Sequence, residues 1–240
     1  MTAAAGYFVT GTGTEVGKTV VAAALARTAA ADGRRVRVFK PAVSGLDDYG
    51  ASGAEADHEL LRRAAGSPQA DDEIAPYRYG PPVSPHLGAE LAGEAIDPDR
   101  LRDAADRAGG GADLLVCEGV GGFAVPLTPD YLVRDFARDL GLPVVVAASP
   151  GLGTINHTVL TAEAVRAAGL AVAGIVLTPW PPEPGELEHS NLETIARLTG
   201  ARVEVLPELD LARPGGWPRL DFSDPQTAAW RRAVSLRCGG

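Results

Sequence analysis

A glycine-rich run near the amino terminus, Gly11-Thr12-Gly13-Thr14-Glu15-Val16-Gly17-Lys18-Thr19, ends in a lysine and a hydroxyl. An apolar pair, Phe8-Val9, precedes them and an Ala-rich run, Val20 to Ala31, follows. Strand, glycine loop and helix in that order are the context of a phosphate-binding loop. Backbone N–H groups of the loop would face phosphate oxygens. Lys18 would reach the β/γ-phosphates, and the Thr19 hydroxyl would ligate Mg²⁺. The opening helix adds its positive dipole end. The common pattern has four residues between the first glycine and Gly-Lys, whereas five separate Gly11 from Gly17. The loop is a longer variant. The competing reading is a Gly/Thr turn before an ordinary helix. Gly-Lys-Thr at the strand–helix junction argues against it.

Lysine usage points to a second position. Of the 22 basic residues, 20 are Arg and only Lys18 and Lys40 are Lys. A chain that uses Arg for its surface cations keeps Lys where a compact ammonium on a flexible stem is needed. Val36 to Lys40 alternates and then meets Pro41, so it reads as a strand ending at Lys40. Ligands of open α/β sheets bind beyond the carboxyl ends of strands, which puts Lys40 on the same edge as the phosphate loop. Leu114 to Cys117 reads as a buried strand with Glu118 at its end. In a phosphate-loop protein such an acid is the usual second Mg²⁺ anchor. The following Gly119-Val120-Gly121-Gly122 permits close backbone approach to a ligand.

Strand and helix patterns alternate along the chain around these groups. Tyr7 to Thr10, Val144 to Ala148, Val172 to Leu177 and Val203 to Leu206 read as further strands. Helices are expected over Lys18 to Ala31, Glu55 to Ala65 and Glu186 to Leu198. Others begin at Ser84-Pro85-His86 and Asp97-Pro98, and an Ala-rich one follows Gly153. Pro41 to Ala54 reads as a loop, Ala75 to Pro85 as an ordered loop or linker, and Asp224 to Leu236 as a tail helix. Gly153 at a helix start is either a second anion site or a plain strand-to-helix turn. The pattern predicts an α/β fold of the phosphate-loop NTPase type, a doubly wound and mostly parallel sheet with helices on both faces. One domain over residues 1–240 is expected, the tail after about residue 211 having no assigned role.

Composition excludes several classes. The net charge of −9 argues against nucleic-acid and anionic-membrane partners. Met1 to Ala5 has neither the basic residue nor the apolar run of a signal peptide or anchor. Cys117 lies in an apolar strand pattern and Cys238 in a glycine-ended tail, a poor disulfide pair, so a reduced cytoplasmic setting is expected. No Ser-His-Asp arrangement or zinc spacing occurs, and His58, His86, His157 and His189 are scattered.

The loop from Gly11 to Thr19 resembles that of the dethiobiotin synthetase family. So do Lys40-Pro41-Ala42-Val43-Ser44-Gly45, Ser84-Pro85-His86, Glu118-Gly119-Val120-Gly121-Gly122 and Gly153-Thr154-Ile155-Asn156-His157. The blocks stand in the family's order from Tyr7 to about Leu209. The resemblance implies ATP-dependent closure of a cyclic urea from 7,8-diaminopelargonate and CO₂. It implies that Lys18 and Lys40 act at the reacting centre and that Thr19, Asp57 and Glu118 hold Mg²⁺. Thr14, Glu15, Val16, Gly17 and Val20, with Gly119, Val120 and Gly121, would complete the nucleotide site. Ser44 would bind the substrate's polar head. Gly153, Thr154, Ile155 and Asn156 would bind its carboxylate tail across a homodimer interface.

The base site departs from the family. Where an asparagine pairs with adenine, this chain has Thr178 followed by Pro179. Pro207, Glu208 and Leu209 are the remaining base-site positions. A threonine cannot make the bidentate amide pair, so ATP is expected to work without strong preference over other nucleoside triphosphates. Two rival readings remain. A partition-ATPase switch carries a lysine five residues before the Gly-Lys-Thr lysine, where this chain has Gly13. A cobyrinate amide synthetase needs a glutaminase domain for which 240 residues leave no room.

Overall fold

The computed structural model describes residues 5–52 and 55–222. Six strands form one parallel sheet. They are β1 (Gly6–Gly11), β2 (Val36–Phe39), β3 (Leu114–Glu118), β6 (Val144–Ala148), β7 (Val172–Trp180) and β8 (Val203–Pro207). Their order across the sheet is β2-β3-β1-β6-β7-β8. A short antiparallel hairpin, β4 (Pro126–Thr128) with β5 (Tyr131–Leu132), stands apart. Period-two alternation divides the core between the two faces of the sheet. In β1, Phe8 joins Phe39, Leu101, Phe136 and Ile195 on one face, while Tyr7 and Val9 join Leu25, Leu60 and Leu61 on the other.

Helix α1 (Lys18–Ala31) and α3 (Asp57–Ala65) cover one face. On the other lie α6 (Pro98–Gly109), α7 (Val133–Leu140), α8 (Thr154–Ala167) and α9 (Glu186–Thr199). Helix α1 is wide in its burial, with Val21 through Ala26 all inside. Alanine suits it, because small side chains let a helix lie close on a sheet and cost little entropy. At α6 the expected start is realised. Pro98 takes the first helical position and Asp97 Oδ1 accepts from Asp99 N at 2.9 Å. Ser84 likewise precedes α5 (Pro85–Leu91), with no cap hydrogen bond from its side chain.

Some expectations need correction. Pro41 to Ala54 is not all loop, since α2 (Leu46–Ser52) forms within it. Its signal was two acids, Asp47 and Asp48, in the first turn after Gly45, which has φ 81°. A one-turn helix, α4 (Asp71–Ile74), also forms. The hairpin and α7 lie in a stretch given no assignment from sequence, where each strand is too short for a periodic pattern. The seventh strand runs through Thr178 to Trp180 rather than stopping at Leu177. The tail helix expected over residues 224–236, and Cys238, lie outside the described residues. No helix among the described residues is long and apolar enough to cross a membrane.

Strand β2 is an edge, and its outer backbone groups need partners. The buried Gln69 amide supplies them. Val38 N donates to Gln69 Oε1 at 2.9 Å, and Gln69 Nε2 donates to Val38 O at 3.0 Å. Ser67 Oγ holds the same amide oxygen at 2.9 Å. One side chain thus stands in for a neighbouring strand. Gln69→Leu should leave both Val38 groups buried and unpaired, at a cost of about 2 kcal/mol. At this chain length that lowers Tm by about 4–8 °C. Thermal unfolding checks it, and an unchanged Tm would show that water replaces the amide.

Candidate active site

The carboxyl ends of β1, β2 and β3 meet at one edge, and the register decides which side chains meet there. Val9 is paired with Glu118, and Phe39 with Cys117. Lys40, one residue beyond β2, therefore comes beside Glu118 at the end of the next strand. The Lys40 N–H donates to Ile74 O at 2.8 Å, which fixes its backbone. Pro41 then ends the strand.

The loop between β1 and α1 is built on two close approaches. A side chain at Gly11 would put its Cβ 2.6 Å from Val16 Cγ2 and 2.9 Å from Lys18 Cγ. Gly17 has φ 81°, and a Cβ there would stand 2.6 Å from Thr178 Cγ2. Between them Glu15 holds a left-handed conformation, φ 59°, the only positive φ outside glycine among the described residues. That conformation costs about 1–2 kcal/mol, and it turns successive backbone N–H groups into an anion-binding concavity. Lys18 Nζ lies across the loop, donating to Gly13 O at 2.8 Å.

The charged centre is buried at Lys40 and Glu118 and partly open at Asp57. Lys40 Nζ is 2.6 Å from Asp57 Oδ2 and 2.6 Å from Glu118 Oε1. Thr19 Oγ1 donates to the same Glu118 oxygen at 2.9 Å. Tyr49 OH donates to Asp57 Oδ1 at 3.0 Å. Glu118 is 0% exposed, and its Oε2 has no hydrogen-bond partner. Burial pushes the Glu118 carboxyl up. Burial also works to raise Asp57, but the Lys40 charge overcomes it and holds Asp57 low. For Lys40 burial favours loss of the proton, and the charges of Asp57 and Glu118 more than offset it, so the ammonium is held above its ordinary range. Lys18 is pulled down, first by burial. Burial and the neighbouring Asp57 push the Tyr49 phenol up to about 12. The Cys117 thiol on the same strand is fully buried and raised by that burial.

These groups open onto a cavity of about 670 Å³. Its lining brings together Thr14, Glu15, Gly17, Lys18, Thr19 and Val20 of the loop, Lys40 and Ser44 after β2, Asp57, and Glu118, Val120 and Gly121. Val16 and Gly119 are not in the lining. Neither are Thr178, Pro179, Pro207, Glu208 and Leu209, although Thr178 packs directly under Gly17. Gly153, Thr154, Ile155 and Asn156 are also outside it. Gly153 caps α8 with φ 91°, and Gly153 and Asn156 are exposed. Sequence reasoning missed Asp48, Tyr49, Pro82, Val83 and Val125, which also line the cavity. The first two ride on α2, whose acidic first turn was the available signal.

The oxygen donors Thr19 Oγ1, Asp57 and Glu118 suit a hard cation such as Mg²⁺. The buried, unpartnered Glu118 Oε2 is an acceptor of the kind such an ion would use. A loop of N–H donors beside two ammonium groups suits a polyphosphate.

Comparison with solved structures places the fold. A ParA family ATPase from Chlorobium tepidum superposes with TM-score 0.53 at 13% identity, covering 88% of this chain and 89% of that one. MinD from Pyrococcus horikoshii, solved with Mg-ADP, gives 0.52 at 18% identity over 97% and 93%. Identities this low speak to the fold alone. A family model described as an AAA domain matches residues 5–214. The ATP-dependent dethiobiotin synthetase BioD of Anaeromyxobacter dehalogenans is 45% identical over 210 residues, 87% of this chain and 92% of that protein. The BioD of Bacillus subtilis is 36% identical over 205 residues, 85% and 87% of the two chains. At these identities over most of both chains, the chain belongs to the ATP-dependent dethiobiotin synthetase family and is an enzyme of the ligase class.

Proposed function

We propose that the chain closes the cyclic urea of dethiobiotin from 7,8-diaminopelargonate, CO₂ and a nucleoside triphosphate, releasing the nucleoside diphosphate and phosphate. The observation that carries this reading is the meeting of the only two lysines, Lys18 and Lys40, at one cavity around Glu118. A carbamate and a triphosphate are both anions, and bringing them into contact needs cations at close range.

In this reading one amine of the substrate and CO₂ form the carbamate, losing a proton. A carbamate oxygen attacks the γ-phosphorus and the bond to the bridging oxygen breaks, giving a carbamic-phosphoric anhydride and the diphosphate. The second amine then attacks the carbonyl carbon, expels phosphate and closes the ring. Lys18 holds the β/γ-oxygens, leaving Gly13 O to do so. Lys40 offers its ammonium to the carbamate and to the charge that moves with the phosphoryl group. Ser44 hydrogen-bonds the substrate's polar head, and the N–H groups from Thr14 to Val20 hold phosphate oxygens. Thr19, Asp57 and Glu118 are the residues to hold Mg²⁺, which supplies charge neutralisation at the phosphates when bound.

Gly153 to Asn156 serve the substrate carboxylate in this proposal only if a second copy brings them to the cavity, because within one chain they lie outside its lining. A homodimer is therefore part of the reading. A reduced cytoplasmic setting suits the buried Cys117 thiol.

Base choice follows from Thr178. It is buried at 2% exposure against Gly17, and it offers no amide for a bidentate pair. Such a pair is worth about 1–3 kcal/mol of discrimination, roughly one to two orders of magnitude. Pro207, Glu208 and Leu209 supply backbone and side chain near the base. Diphosphate release in a coupled assay should require diamine, bicarbonate and Mg²⁺ together. CTP and GTP should support it within about tenfold of ATP in kcat/KM. Release that ignores the diamine would overturn the proposed reaction, and a hundredfold preference for ATP would overturn the reading of Thr178. In the same assay Lys40→Arg should lose most turnover while keeping its fold, since the larger planar guanidinium keeps charge but not shape. Turnover like the parent's would remove Lys40 from the reacting centre.

A further inference from the structure

Lys40 occupies the place a divalent cation has to enter. Its Nζ lies 2.6 Å from an oxygen of Asp57 and 2.6 Å from an oxygen of Glu118. Thr19 Oγ1 is 2.9 Å from that same Glu118 oxygen. Two of the three residues assigned above to Mg²⁺ are thus already joined by one ammonium, and Thr19 is tied to them through Glu118. Both Asp57 oxygens are engaged, one by Lys40 and the other by Tyr49 at 3.0 Å. A dication that takes Asp57 and Glu118 as ligands needs about 2.0–2.1 Å to each oxygen. It must therefore take an Asp57 oxygen that now accepts a hydrogen bond. Two cations sharing Asp57 and the wholly buried Glu118 at these distances would repel each other.

The ammonium is also what makes the metal-free arrangement tolerable. Asp57 and Glu118 are like charges sharing one site, and Glu118 is wholly buried. Without a cation between them one would have to take up a proton or move away. Lys40 has a four-carbon stem, and it lines the open cavity as well as the carboxylate pair. Displaced from the carboxylates, it has that cavity to turn into.

We propose that Lys40 is the resident cation of the metal site: it holds Asp57 and Glu118 together in the metal-free protein, and a divalent cation displaces it into the cavity, where it becomes free for an anionic substrate. The proposal rests on the assignment of Thr19, Asp57 and Glu118 as metal ligands. It gives the site an order, because Lys40 is withheld from the carbamate until a dication has taken its place. Metal and substrate then favour each other's binding without touching the same atoms, a coupling that is reciprocal by linkage.

The composition supplies a direct probe. Lys18 and Lys40 are the only lysines in 240 residues, so protein grown with lysine isotope-labelled at Cε has two lysine signals, assigned with Lys40→Arg. The wild-type protein is titrated with Mg²⁺ in the absence of nucleotide. The Lys40 signal should shift and saturate with the midpoint of metal binding measured by calorimetry. In parallel, Mn²⁺ binding is read by electron paramagnetic resonance. Lys40→Met should bind Mn²⁺ about tenfold more tightly than wild type, because a competing charge is gone. Asp57→Asn should bind it more weakly. A Lys40 signal that stays still at saturating Mg²⁺ overturns the proposal even if Lys40→Met does not fold. So does Mn²⁺ binding to folded Lys40→Met that is no tighter than wild type. If Asp57→Asn binds Mn²⁺ like wild type, the metal-ligand assignment fails and the proposal falls with it. If Asp57→Asn weakens binding while the Lys40 signal stays fixed, the metal site stands and only the displacement is wrong.

Discussion

A wholly buried carboxylate, Glu118, and a buried ammonium, Lys40, meet at the edge of the sheet beside the half-buried Asp57, and the buried pair is tolerable only because its charges face each other. Desolvating an isolated ion costs roughly several kcal/mol even after relaxation. Glu118 has no exposure and Lys40 only 3%, so neither can fall back on solvent. The cluster consequently demands that the ends of β2 and β3 and the start of α3 stand at fixed distances. The 2.6 Å contacts from Lys40 to Asp57 and to Glu118 are the geometric form of that demand. Buried ion clusters of this kind are weak sources of net stability. Here the cluster makes better sense as the arrangement of charges that a phosphate-handling site requires.

The surrounding architecture meets the demand with rigid parts. Strand β3 is flanked by β1 and β2 in parallel register, so Glu118 rides on a strand bonded on both sides. Edge strand β2 is secured by Gln69, which gives Lys40 a fixed point of departure. Asp57 opens α3, a helix held on the sheet by Leu60 and Leu61, and its first turn also carries Glu59, which accepts from Ala56 N at 3.0 Å. Acids at a helix start are favoured by its dipole, so Asp57 is stabilised by the same end of the helix that aims it. Lys18 and Lys40 now hold partners, Gly13 O and the carboxylates, that a polyphosphate and a metal would take from them.

Much of this was legible in the sequence where a local pattern fixes geometry. Gly17-Lys18-Thr19 at a strand–helix junction, Glu118 at the end of an apolar strand and Lys40 before Pro41 each carry their position in their neighbours. Parallel strands then bring the ends together without further information. Asp57 was different, because no motif surrounds it and only the family resemblance pointed to it. Its place depends on how α2 and α3 fold back over the edge. Tyr49 was missed for the same reason, since α2 is two turns long and its sequence, Leu46-Asp47-Asp48-Tyr49, reads equally as loop. The hairpin from Pro126 to Leu132 was invisible because its strands span three and two residues, too few for periodicity to register. Gly153 to Asn156 form the expected helix start, yet no single-chain pattern could say that they would lie outside the cavity.

That the charge cluster organises the site is tested most directly by a double-mutant cycle on Lys40 and Glu118, using Lys40→Met, Glu118→Gln and the pair, with stability read by urea unfolding in the absence of metal and nucleotide. Lys40→Met leaves the wholly buried Glu118 without its cation and should cost about 3–5 kcal/mol, whereas Glu118→Gln leaves Lys40 paired with Asp57 alone and should cost less. The double substitution should cost less than their sum by at least about 2 kcal/mol. Single effects that add to within about 0.5 kcal/mol would show that the two side chains do not depend on each other, and would contradict the account.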